Sequence, residues 1–187
     1  MPEKPRPVPA REALQRLREG NDRFARNLRS IDALASQSRR DALVAGQWPF
    51  AIVLSCSDSR VPAEIIFDCG LGDLFIVRVA GNVVAPSIVG SVEFAAAKFD
   101  TQLVVVMGHS CCGAVGATLD ALQNGGTAPS ENIHDIVERI TPAVKEMLDC
   151  GTPQCDLLSA AIRANVRASA NHLRHGSRIL EQMTTAG

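Results

Sequence analysis

Leu103-Val104-Val105-Val106-Met107-Gly108-His109-Ser110-Cys111-Cys112-Gly113-Ala114 is the stretch on which the fold turns. Its first half, Leu103 to Gly108, is a short apolar run rich in β-branched valine, which predicts a strand. The run does not alternate polar with apolar residues, so burial on both faces is expected. Its second half carries a histidine and two cysteines, and a helix is predicted from Gly113 to Gln123. A strand that leads through reactive side chains into a helix is half of a β-α-β unit.

Two similar apolar runs precede it, Phe50 to Ser55 and Leu74 to Val79. Helices are predicted at Ser87 to Phe99, Ile133 to Leu148 and Asp156 to His175. Strands alternating with helices imply an α/β fold, a parallel-stranded central sheet flanked by helices. Leu14, Leu17, Phe24 and Leu28 fall at helical intervals and predict an extended N-terminal helix from about Ala10 to Asn27. Such a helix must pack on its own domain or on a partner subunit. Asn124, Gly125, Gly126 and Thr127 form the clearest loop, and Cys150 to Pro153 separate the last two helices. No repeat or linker splits the chain. It reads as a single domain over residues 1–187, with a helical arm at 1–30 and an α/β core at 48–187.

A chain of 187 residues, 46% hydrophobic and 21% charged, can bury one good core. Nineteen basic and 20 acidic residues leave a net charge of -1, which favours neither nucleic acid nor an anionic membrane as partner. No stretch approaches the roughly 20 apolar residues of a membrane span. The sequence as it stands predicts a soluble, cytoplasmic protein unless a cleaved leader precedes it. Six cysteines in a chain with a sufficient core are read as reduced thiols, some of them metal ligands, rather than as a disulfide scaffold.

In open parallel sheets, ligands bind at the carboxyl ends of strands. Cys56, Asp58 and Arg60 follow the first strand, and His109 and Cys112 follow the third. Two thiolates and one imidazole suit zinc, with the fourth position left open as in catalytic sites. Cys112 also stands at a predicted helix start, where the dipole and free N–H groups stabilise a thiolate or an anion. The plainer alternative is a small buried cysteine and a packing histidine. A closed structural site would take Cys111 as fourth ligand, but adjacent residues at a helix start rarely reach one ion together. Asp58 and Arg60 read either as a turn residue and a solvated cation or as a pair positioned for a purpose.

The segments Cys56-Ser57-Asp58-Ser59-Arg60 and Gly108-His109-Ser110-Cys111-Cys112-Gly113-Ala114 resemble the zinc signature of the β-class carbonic anhydrases. Gly72-Asp73-Leu74-Phe75 and Arg78-Val79-Ala80-Gly81-Asn82 resemble that family too. The resemblance implies one zinc ion per chain, held by Cys56, His109 and Cys112, with Asp58 and Arg60 as a catalytic dyad. It implies a substrate site in which Gln47 hydrogen-bonds carbon dioxide or bicarbonate, Phe75 and Ala80 line a small apolar pocket, and the Gly113 amide holds the anion. It further implies a homodimer or dimer of dimers, with the N-terminal helix laid over the partner. The reaction implied is reversible hydration of carbon dioxide to bicarbonate and a proton. Zinc lowers the pKa of its water from about 15.7 to about 7, which supplies hydroxide as nucleophile.

The chain departs from the family's pattern in several places. It has no tyrosine, and Phe94 stands where some relatives carry one. Val53 replaces the tryptophan of a bicarbonate effector site for which Arg78 matches the basic member, so that inhibition is not expected. Thr184-Thr185-Ala186-Gly187 offers no apolar run for the edge strand that usually follows the family's final helix, so the expectation is either a truncated chain or a member without that strand. His134, His172 and His175 are expected on helix surfaces, and Cys69, Cys111, Cys150 and Cys155 as free thiols. Two other readings keep the zinc ligands: hydrolysis of carbon disulfide or carbonyl sulfide, and a non-catalytic zinc-binding homologue.

Overall fold

The computed structural model describes residues 5–28, 36–126 and 128–185. Residues 1–4, 29 and 30 of the expected arm, Thr127 of the expected loop, and Ala186 and Gly187 lie outside them. Along the described chain run α1 (Ala10–Ala25), α2 (Gln37–Leu43), β1 (Ala51–Ser55), α3 (Ala63–Ile66), β2 (Leu74–Arg78), a 3-10 turn (Ala80–Asn82), α4 (Pro86–Phe99), β3 (Val104–Met107), α5 (Gly113–Asn124), α6 (Glu131–Asp149), α7 (Gln154–His175) and α8 (Arg178–Thr185). The strands form a parallel sheet in the order β2-β1-β3, flanked by helices, as the alternation of elements predicted.

Burial in the sheet is uneven, which corrects the expectation that all three strands are covered on both faces. All five residues of β1, the central strand, are buried. Leu74 and Val77 are the buried residues of β2. In β3, at the edge of the sheet, Val104 is 36% exposed and Val105, Val106 and Met107 are half-buried. Composition alone could not separate these cases, since Val-Val-Val-Met is as apolar as Ala-Ile-Val-Leu. The place in the sheet decides.

The residues fall into two compact units. The first takes in 1–54, 59–77 and 90–105. In it α1 buries Ala13, Leu17 and Gly20, three positions at helical spacing. Gly20 is obligatory there, because a Cβ on it would stand 1.8 Å from the carbonyl oxygen of Phe67. Asn21 Nδ2 also donates to Ile66 O at 3.2 Å. The amphipathic helix therefore finds a face within its own chain. Leu17 alone of the four residues that marked it is buried; Leu14 and Phe24 are 36% and 37% exposed, and Leu28 lies beyond the helix end at 67%. Phe75, Phe94 and Phe99 form an aromatic cluster, with centroids 6.0–6.4 Å apart.

The second unit takes in 55–58, 78–89 and 106–187. Its core joins the residues after β1 and β3 to the long helices: Cys56, Val83, Cys112, Val115, Ile140 and Ala161 belong to one buried cluster. Helix α5 starts from Cys112 as N-cap and stops at Gly125, whose left-handed φ of 71° lets its N–H reach Ala121 O. The carboxyl ends of all three strands fall in this unit.

Candidate metal centre

The chain leaves β1 at Ser55, and the next side chain, Cys56, is 6% exposed. It leaves β3 at Met107, passes Gly108 and His109, and turns through Ser110 and Cys111 to Cys112, the N-cap of α5. Cys111 has a φ of 55°. This tight turn separates the adjacent cysteines: Cys112 is buried and Cys111 exposed. Cys111 is not a member of the ligand group, so the site is not closed by a fourth cysteine. A Cβ on Gly108 would come within 2.6 Å of Val166 Cγ2, which is why the strand exit needs glycine.

These turns bring one ligand atom each from Cys56, His109 and Cys112 within 4.8 Å of one another. A tetrahedral zinc ion with bonds of about 2.0–2.3 Å spaces its ligands by a little under 4 Å, so the three sides of the site are almost in place. The imidazole is already oriented. His109 Nδ1 lies 3.0 Å from the carbonyl oxygen of Ser110, which can only accept, so Nδ1 carries the proton and donates. That leaves a lone pair on Nε2, which is buried and has no hydrogen-bond partner. Asp58 Oδ2 stands 3.8 Å from it, beyond hydrogen-bond reach.

The sulfurs show the same incompleteness. Burial pushes the Cys112 thiol up, and the neighbouring Cys56 adds to this, while the first-turn N–H groups of Ala114 and Val115 pull it down. Cys56 Sγ accepts the N–H of Gly81 at 3.4 Å. A buried Cys112 thiol beside a second sulfur, both met by backbone N–H groups, is an arrangement that a divalent cation between the two would relieve. The donor set fits zinc.

The other expected site residues are divided between the two units. Asp58 is half-buried in the same unit as the three ligands. Ala80 opens the 3-10 turn, and Gly113 is the exposed first residue of α5. Gln47, Arg60 and Phe75 belong to the first unit; Gln47 and Arg60 are exposed, and Phe75 is half-buried in the aromatic cluster. His134, His172 and His175 are exposed on their helices, as expected. Arg78 has a part that the sequence did not suggest: its Nε donates to Cys56 O at 3.0 Å and its Nη2 to Asp58 O at 2.6 Å. It clamps the backbone on either side of Ser57.

A family model described as carbonic anhydrase matches residues 51–187. Carbonic anhydrase 2 of Mycobacterium tuberculosis is 48% identical over 132 residues, which are 71% of this chain and 63% of that protein, a little under two thirds of its length. The carbonic anhydrase of Mycolicibacterium smegmatis is 40% identical over 175 residues, 94% of this chain and 82% of the relative. Among solved structures, the β-carbonic anhydrase CcaA superposes with a TM-score of 0.72 at 26% identity, covering 93% of this chain and 78% of that one.

Proposed function

The chain belongs to the β-class carbonic anhydrase family, and on that premise we propose that it hydrates carbon dioxide reversibly to bicarbonate and a proton at a zinc ion held by Cys56, His109 and Cys112. The observation that carries the proposal is the convergence of these three ligand atoms, with His109 Nε2 buried and unpartnered at their meeting point. When bound, zinc supplies the Lewis acidity that brings the pKa of a coordinated water to about 7.

The protein's own residues do the rest. Cys56 and Cys112 offset the charge of the cation, and the Ser110 carbonyl keeps His109 in the tautomer that can ligate. Asp58, 3.8 Å from the ligand nitrogen, accepts a hydrogen bond from the nucleophile and turns its lone pair towards carbon. Arg60 orients that carboxylate, and Arg78 fixes the backbone from which it springs. Carbon dioxide is apolar and is received by Phe75 and Ala80, whereas bicarbonate needs donors, the Gln47 amide and the Gly113 N–H at the start of α5. With no tyrosine in the chain, the released proton passes to water, buffer or a histidine. The active form we propose is a homodimer or a dimer of dimers, favoured by the partly exposed Leu14 and Phe24 on α1.

Stopped-flow hydration of carbon dioxide on zinc-replete protein, with zinc quantified and the solution mass measured by light scattering, tests the whole reading. Turnover dependent on one zinc per chain, from a particle of two or four times 19.9 kDa, is expected. Zinc-loaded protein without turnover would defeat it, and a fast monomer would defeat the assembly.

A further inference from the structure

Leu157, Ala161, Asn165, Ser169 and Leu173 recur at every fourth position of α7 and all are buried. Asn165 and Ser169 are polar members of an otherwise apolar row, 2% and 5% exposed. Burying an amide or a hydroxyl costs on the order of 1–3 kcal/mol unless it finds a partner. The partners here lie in the turn after β2. Asn165 Nδ2 donates to Gly81 O at 2.7 Å, and Ser169 Oγ donates to Asn82 O at 2.9 Å.

That turn is one the chain would not hold by itself. Gly81 and Asn82 take consecutive left-handed φ values of 65° and 45°, unfavourable for asparagine by about 1 kcal/mol or more. The peptide joining them is fixed at both ends, its oxygen by Asn165 and its N–H by Val79 O at 3.0 Å. Ser169 fixes the next carbonyl. The Gly81 N–H belongs to the peptide just before these two and joins them at Gly81 itself, and it meets Cys56 Sγ at 3.4 Å.

We propose that Asn165 and Ser169 are positioning residues of the metal centre, holding the 80–82 turn so that the Gly81 N–H bonds the sulfur of Cys56. The inference rests on Cys56 being a ligand, but not on the identity of the substrate. An N–H donor draws electron density from a thiolate, which weakens its donation to the metal and makes the metal a stronger acid towards its water. Helix α7 thus acts on the metal through two carbonyls and one amide without touching it.

Cobalt(II) in place of zinc gives a readout independent of turnover, the thiolate-to-cobalt charge-transfer band. In Asn165→Leu and Ser169→Ala this band is expected to move to lower energy as the sulfur becomes more electron-rich. Zinc affinity measured by chelator competition should fall roughly 10-fold, because the loss of a fixed position for Cys56 outweighs the stronger donation of its sulfur. Ser169→Ala removes a single oxygen and preserves the test should Asn165→Leu fail to fold. Leu173→Ala, a packing change in the same row, is expected to lower stability and leave the band in place. A band and affinity unchanged in both polar variants, or shifted as much by Leu173→Ala, would overturn the proposal while leaving the metal centre standing. Wild-type protein that takes up no cobalt would overturn both.

Discussion

The chain buries thiols in two surroundings, and the contrast between them shows how a backbone decides what a cysteine becomes. Cys69, in the first unit, lies among acids: burial comes first, and Asp73, Asp68 and Glu64 add to it, so that the thiol is pushed up to about 12 despite Arg23. Its S–H donates to Phe67 O at 3.3 Å, a bond that needs the proton. Cys56, in the second unit, accepts from the Gly81 N–H instead. Cys112 is pushed up by burial too, yet the N–H groups of Ala114 and Val115 oppose the shift. Depth is similar at all three, 6%, 6% and 2% exposed. A sulfur that faces a carbonyl stays a thiol, and one that faces amides is ready to be a ligand.

Exchanging sulfur for oxygen on each side of this contrast has the largest expected effect. Cys112→Ser should abolish stoichiometric zinc binding and hydration together, as read by metal analysis and stopped flow. Cys69→Ser should retain both. Loss of zinc from the Cys69 variant, or full activity in the Cys112 variant, would erase the distinction.

Next in size is Gly81→Ala, which attacks the amide that Cys56 accepts. The left-handed backbone costs about 1–2 kcal/mol with a side chain. The added Cβ would stand 2.7 Å from Ile140 Cδ1 and 3.1 Å from Ala114 Cβ, an overpacking worth about 1–3 kcal/mol. Denaturant melts of the metal-free protein should show a loss in that range, and zinc affinity should fall beyond it.

The smallest effect is a matter of pH and is read at Cys69. Unfolded, this thiol ionises near 9.0; folded, it keeps its proton to about 12. Below pH 9 both states are protonated and stability is indifferent to the group. Between about 9 and 12 only the unfolded chain gives the proton up, so stability declines as pH rises through that window. Melts at pH 8.5, 10 and 11 should show a steeper decline for wild type than for Cys69→Ala, and parallel slopes would remove the basis of the comparison.

The features legible in the sequence were those written in contiguous residues. The runs around β1, β2 and β3 had the right length and chemistry, and the motifs after β1 and β3 held all three ligand candidates. What the sequence hid depends on contacts between distant segments. Nothing local says that Arg78 turns to the carbonyls of Cys56 and Asp58, 22 and 20 residues earlier. Nor does a helical pattern reveal the purpose of Asn165, whose partner is 84 residues away. A trace of it was present, since an asparagine and a serine interrupt a row otherwise made of leucine and alanine. The short helices α2, α3 and α8 escaped because periodicity over four to eight residues carries little signal. The exposure of β3 escaped because residue type cannot report which strand stands at an edge.

That edge bears on how the protein behaves in a flask. Among the described residues β3 pairs with β1 on one side, and Val104 to Met107 bring no charge to the other. A net charge of -1 and a pI near 6.4 give copies little mutual repulsion at neutral pH. Crowded solutions near pH 6.4 therefore favour lateral stacking of sheets, and colloidal behaviour should improve as the buffer moves to more alkaline values.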